Sequence, residues 1–337
     1  MRRNDYDVTG SVRTTDPASV GAEVLHICEG LYARPAPELE RAFGEAAALY
    51  EGRHPDYCAC DTEYHDIQHV LDVTLAMARL MDGYQRSRRE NEEPLSRELF
   101  ITGALAALFH DFGYLRRRHD RRHRYGAEYT LIHVSRSAAF LRRYLRDLGL
   151  GGKMARIAGT LVHFTGYERR TELIALQGTA RRAGQMLGTA DIIAQMSDRC
   201  YLEKCRDRLF PEFVVGRLAS HIRPALRMLP AFDSGQDLVL KTPQFYRGAM
   251  RRLDMQLART YQYAARHFGG PNLYLDEMQK NVLYAGTVAS APYAAGLLRR
   301  QPPYTLLPEV EPYPRDLISA GGAEVVQPVD RAHPQVS

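Results

Sequence analysis

Apolar residues recur at threes and fours along most of this chain, with few alternating β-branched runs, and that period predicts α-helices almost throughout and an all-α fold. A first helical region spans roughly Val20 to Tyr50, interrupted near Pro35 and Pro37, because proline cannot donate within a helix and clashes with the preceding turn. Asp61 or Thr62 is the expected cap of a helix that carries His65 and His69 and runs to about Met81, where Asp82-Gly83 stops it. The charged stretch Gln85 to Glu93 reads as a solvated connection. Pro94 then suits the first turn of a helix from about Leu95 to His110, apolar on nearly every face and therefore the expected centre of the domain. Further helices are predicted around Ala127–Leu148, Ala155–Phe164, Arg181–Lys204, Glu212–Met228, Gln244–Phe268 and Leu275–Leu298, with breaks at Gly149-Leu150-Gly151-Gly152 and Ser234-Gly235.

The expected organisation is a polar, flexible N-terminus (1–18), an N-terminal helical cover (19–52), a main helical bundle (53–299) and a flexible tail rich in proline (300–337). The 45 basic and 40 acidic residues leave a net charge of +5, far from the density of a chain built to coat nucleic acid. Nearly all the basic residues are arginine, with lysine only at Lys153, Lys204, Lys241 and Lys280. No apolar run approaches the ~20 residues a membrane-spanning helix requires, so no membrane partner is expected. An odd set of five cysteines and an N-terminus without an apolar leader fit a reducing cytoplasm.

Two islands carry the chemistry: Tyr64-His65-Asp66-Ile67-Gln68-His69-Val70-Leu71-Asp72-Val73, and the His110-Asp111 doublet that ends the apolar stretch beginning at Phe100. Histidines four apart share one face of a helix, and a His-Asp doublet offers an imidazole and a carboxylate together, the donor set of a divalent metal. Asp191 is an acid in an otherwise small and apolar helix, where an unpaired charge is costly to bury and a metal would relieve the cost. Mixed donors of this kind suit zinc, manganese, iron or magnesium, one or two ions, and do not choose among them.

The order His, then His-Asp, then a distant Asp resembles the HD superfamily of metal-dependent phosphohydrolases, and Tyr64 to Val73 is similar to the signature of the cyclic-nucleotide phosphodiesterases within it. The resemblance covers about Tyr64 to Asp198 and implies an HD-type, phosphodiesterase-like helical bundle. It implies that His69, His110, Asp111 and Asp191 bind the first metal and that Asp111 also touches a second ion and its bridging hydroxide. In that mechanism the hydroxide attacks phosphorus while His65 protonates the departing oxygen. Asp72 can orient an imidazole from behind. The chain departs from the signature at Asp66, where asparagine is usual, and Gln244 with Arg247 lacks the aromatic partner of the family's purine clamp.

Several residues keep two readings. His163 either lines the substrate pocket or packs in the core. Glu128 either reaches the second metal through water or caps a helix. Gln195 and Asp198 share the face of Asp191 by spacing and either reach the pocket or bond at the surface. The run Arg116–Arg124 either gathers phosphate oxygens or, as such runs more often do, forms a solvated loop. Cys58 and Cys60 have too few neighbours for a zinc knuckle and read as ordinary thiols. The expected activity is hydrolysis of a small phosphoester, a nucleotide above all. The alternatives are a nucleotidase or phosphomonoesterase on the same scaffold, and a non-catalytic metal or nucleotide sensor.

Overall fold

The computed structural model describes residues 2–219, 232, 234–290 and 298–314. Those residues form an all-α bundle, and no strand occurs among them. α1 (Pro17–Tyr32) and α2 (Pro37–Tyr50) are separated where the prolines predict, and each begins with proline in its first turn, the position where its missing N–H costs nothing. α1 packs against α3 (Ile67–Ser87) and α4 (Arg97–Leu108), and α2 packs against α1 and α4, within one continuous apolar core.

α3 is the axis of the molecule, buried along most of its length and packed against α1, α4, α7 (Gly178–Ser197) and α12 (Gln262–Phe268). It differs from its predicted bounds at both ends. The cap is Asp66, whose Oδ1 accepts the His69 amide at 2.9 Å, so the helix starts after His65. It also runs through Asp82-Gly83 to Ser87. Gly83 is there for a close approach: a Cβ would sit 1.9 Å from the carbonyl oxygen of Tyr263, beside α12.

α4 is capped by Ser96 and ends at Leu108, and a 3-10 turn (Phe112–Tyr114) follows the His110-Asp111 doublet. The expected helix from Ala127 is divided into a 3-10 turn (Gly126–Tyr129) and α5 (His133–Asp147). The next, α6 (Gly151–Leu161), starts within the glycine run and ends in a 3-10 turn at Val162–Phe164. After α7 the chain breaks at Asp198, then continues as α8 (Tyr201–Lys204), a π-turn (Cys205–Leu209) and α9 (Phe210–Ala219). The far end of the helix expected to reach Met228 lies outside the described residues, as do 291–297 of the one expected to reach Leu298. The long helix expected over Gln244–Phe268 is two, α11 (Thr242–Met255) and α12, because Ala258 and Arg259 turn into the left-handed region between them. α10 (Gly235–Leu240) precedes them and α13 (Leu273–Ser290) closes the described helices.

The termini differ from the sequence expectation. Asp7 is buried and accepts the amides of Ser11 and Val12 at 3.0 and 2.9 Å, and its Oδ2 receives Arg79 Nη2 of α3 at 2.6 Å. Residues 2–16 are thus fastened by polar bonds rather than left loose. Residues 298–314 cross the surface as a strap, with Arg208 donating to the carbonyls of Pro302 and Pro303, Thr305 Oγ1 donating to Asp66 Oδ2, and Leu298 and Tyr313 buried. The remainder of the expected flexible tail, 315–337, lies outside the described residues. No helix among the described residues is long and apolar enough to cross a membrane.

Candidate metal centre

His69 stands in the first turn of α3, His110 and Asp111 follow the end of α4, and Asp191 lies midway along α7. The packing of α3 against α4 and α7 brings the four together. His69 Nε2 lies 3.3 Å from His110 Nε2, 3.3 Å from Asp111 Oδ2 and 3.5 Å from Asp191 Oδ1. His110 Nε2 lies 3.1 Å from Asp111 Oδ2 and 3.9 Å from Asp191 Oδ1. Donor atoms at about 2.0–2.2 Å from one ion are spaced about 3.3–3.6 Å apart in a tetrahedron and about 2.8–3.1 Å in an octahedron. The measured spacings of 3.1–3.5 Å fall within or between those ranges, and only the His110–Asp191 separation of 3.9 Å is longer.

The polar chemistry fits a cation as well. His110 Nδ1 is 2.7 Å from the Ala107 carbonyl, which fixes the N–H on that nitrogen and turns Nε2 toward the cluster. Asp111 Oδ2 is buried close to both imidazoles, yet no hydrogen bond aligns on it. A buried carboxylate oxygen without an aligned donor is costly, and a metal ion answers it directly. His69, His110 and Asp191 form a group able to hold a metal ion, and Asp111 Oδ2 lies beside both of its imidazoles, 3.3 Å from His69 and 3.1 Å from His110. Burial alone would raise the Asp111 carboxyl, but the imidazoles of His110, His69 and His65 hold it well below the usual carboxylate range. Burial opposes charge on His110 too, and Asp111 and Asp191 overcome it, raising the imidazole to about 9.

His65 reaches the same cavity by a different route from the expected one. It precedes α3 rather than riding on it, and Glu212 of α9 holds it from behind. Glu212 Oε1 accepts the amides of Tyr64 and His65 at 2.6 and 3.3 Å, while Oε2 pairs with His65 Nδ1 at 2.5 Å. Burial lowers the His65 imidazole, yet Glu212, with Asp111 and Asp191, raises it to about 9. The ring stacks on Tyr114 at 4.5 Å between centroids.

His133, absent from the sequence reading, opens α5 and stacks on the same Tyr114 at 4.4 Å. Its Nδ1 faces the Thr130 carbonyl at 2.6 Å, and its Nε2 stands 3.5 Å from Asp111 Oδ1. Gly113 makes this approach possible, since a Cβ there would lie 2.0 Å from the His133 carbonyl oxygen. Glu212 was missed too, although a lone acid within Phe210-Pro211-Glu212-Phe213-Val214-Val215 carries the same signal that singled out Asp191.

The cluster opens into a cavity of about 250 Å³ lined by Tyr64, His65, Tyr114, His133, Gln195 and a wall of apolar side chains. Gln195 Oε1 receives the Tyr64 hydroxyl at 3.1 Å. His163 does not line this cavity; it is buried and its Nδ1 pairs at 2.8 Å with Glu168, which does. Asp72 belongs to a separate buried network with Asp198, Lys204 and Thr14 rather than supporting an imidazole, and Asp198 pairs with Lys204 at 2.6 Å instead of entering the cavity. Glu128 accepts the amides of Arg124 and Tyr125 at 2.8 and 2.9 Å, the capping role of its two readings. In the arginine run, Arg116 pairs with Asp61 and Arg118 donates to the Gly52 carbonyl at 2.5 Å, which ties the loop to its neighbours and away from the cavity. Gln244 is exposed, and its neighbour Phe245 lines the cavity instead. All five cysteines are free thiols. Compared with known protein families, with curated proteins and with solved structures, the chain matches none.

Proposed function

We propose that this chain is a metal-dependent phosphohydrolase of the HD type, acting on a small phosphoester. The observation that carries the reading is the grouping of His69, His110 and Asp191, with Asp111 beside the two imidazoles and His65 facing the same cavity. A phosphate ester resists hydrolysis because its oxygens repel a nucleophile and its leaving oxygen is a poor one. A divalent ion bound by those four residues supplies Lewis acidity and a nucleophile at neutral pH. A second ion would find Asp111 Oδ1 and His133 Nε2 facing each other.

The chain's own residues supply the rest. Glu212 fixes the His65 ring through Nδ1 and favours its charged form, so that His65 holds a proton for the departing oxygen. Tyr114 braces His65 and His133 in one stack and keeps both rings from rotating out of the site. The apolar side chains of the cavity wall reduce the water around the cluster and strengthen the charge interactions beside them. The test is metal analysis of purified protein together with hydrolysis of cyclic and linear nucleotides and simple phosphodiesters. Bound metal with turnover supports the reading. Bound metal and nucleotide with no turnover across the panel favours a sensor, and absence of bound metal after reconstitution with zinc, manganese, iron and magnesium refutes both.

A further inference from the structure

The cavity wall beyond the metal ligands is unusually one-sided in its chemistry. Leu131, Val134, Ile192, Phe213, Phe232 and Phe245 line it, and Phe213 and Phe232 stack with centroids 6.0 Å apart. Among the described residues no lysine or arginine lines it. On the wall away from the cluster, the one charged side chain among the described residues is a carboxylate, Glu168, fixed by His163 at 2.8 Å. The segment that carries Glu168 is itself fastened, because Arg252 donates to the carbonyls of Phe164 and Gly166 at 2.7 and 2.8 Å and its guanidinium lies 4.0 Å over the Tyr167 ring. Glu168 is therefore a built part of the cavity.

This arrangement matches one distribution of charge on a ligand. A single phosphate group meets its counter-charge at the cluster and at His65. Any further phosphate has no cation among the described wall residues and approaches the Glu168 carboxylate at the exposed rim of the cavity, an interaction that is repulsive although solvent screens part of it. An uncharged apolar group gains by leaving water for the phenylalanine wall. We infer that the cavity selects phosphodiesters with one phosphate and an uncharged apolar group, and that Glu168 turns away polyphosphates. This rests on the hydrolase reading for the orientation of the phosphate, and it narrows the substrate class beyond it.

The test is fluorescence titration of the full chain with 8-anilinonaphthalene-1-sulfonate, a singly charged aromatic probe, in excess magnesium, followed by displacement with diphenyl phosphate, ATP or pyrophosphate. The expected result is displacement by diphenyl phosphate at a concentration at least about tenfold lower than ATP or pyrophosphate requires. Phe245→Ala, at a half-buried position, is expected to weaken the dye and diphenyl phosphate about tenfold. Glu168→Gln should narrow the gap between diphenyl phosphate and ATP, each displacement being referred to the variant's own dye affinity. Equal displacement by ATP, or an unaltered gap in Glu168→Gln, overturns the inference. Hydrolysis of bis(4-nitrophenyl) phosphate and of ATP is then measured on the same samples. Selective binding with no hydrolysis of either compound defeats the hydrolase reading and upholds the cavity's selectivity. Hydrolysis accompanied by unselective binding does the reverse.

Discussion

Replacing Asp7 with alanine is expected to be among the most damaging changes outside the metal centre. The Asp7 and Arg79 side chains are each only 2% exposed, and the guanidinium's other contacts are a hydrogen bond to the Tyr274 hydroxyl at 3.1 Å and the Phe268 ring. Removing one member of a buried pair leaves the other charge without compensation, at a cost of roughly 3–5 kcal/mol. The buried Val12 amide loses its acceptor too, although relaxation of the N-terminal loop toward water offsets part of that. A loss of about 4 kcal/mol should move the urea midpoint down by roughly 1 M or more. Arg79→Met in the Asp7→Ala background removes the stranded charge and should recover part of the stability. The pH dependence has a defined sign. Burial opposes the Asp7 charge, but Arg79 and the Val12 amide outweigh it and hold the carboxyl below its usual value. A depressed carboxyl contributes stability that is fully present above about pH 3.9 and is lost as pH falls through the folded value. The gap between wild type and Asp7→Ala should therefore stay constant from pH 7 to pH 5 and begin to close below about pH 4. A destabilisation below about 1 kcal/mol, or a double variant weaker than the single one, would refute the account.

Three further outcomes follow from the site. His110→Ala and Asp111→Ala should each drop the bound metal at least about tenfold by elemental analysis, whereas His65→Ala should keep it and lose turnover; retained metal in the first two counts against the centre. Glu212→Gln removes the main support of the His65 proton, so the alkaline fall in rate, expected at about 9 or below when a dication sits nearby, should move toward neutral pH. An unmoved limb in the pH profile would show that Glu212 does not set this proton. Gly113→Ala forces the start of α5 away from the doublet and should cost about 1–3 kcal/mol in thermal denaturation, with an unchanged melting temperature as the contrary result.

The helical class and the candidate cluster of His69, His110 and Asp191 were legible in the sequence because both rest on periodicity and on the cost of burying lone charges. What escaped it depends on contacts between distant segments. Asp61, Thr62 and Asp66 are all plausible caps by residue type, and only the hydrogen bond from the His69 amide selects Asp66 and leaves His65 outside the helix. Gly83 has the composition of a helix stop, but its role is set by a backbone 180 residues away. The N-terminus lacks an apolar period because Asp7 organises it through amides and a guanidinium, bonds that leave no hydrophobic pattern. His133 and Glu212 stand far in sequence from the island they complete, and no spacing rule links them to it.

One carboxylate joins the two ends of this story. Asp66 caps the helix that presents His69 with one oxygen and receives Thr305 of the strap with the other, across 239 positions of sequence. Closing so large a loop is entropically slow and gains nothing until the intervening helices have assembled. The final lock on the ligand helix is consequently a late event in folding. During synthesis this bond cannot form until Thr305 has emerged, so the lock on the helix that presents His69 is set well after Asp191, its neighbour in the cluster, has been made.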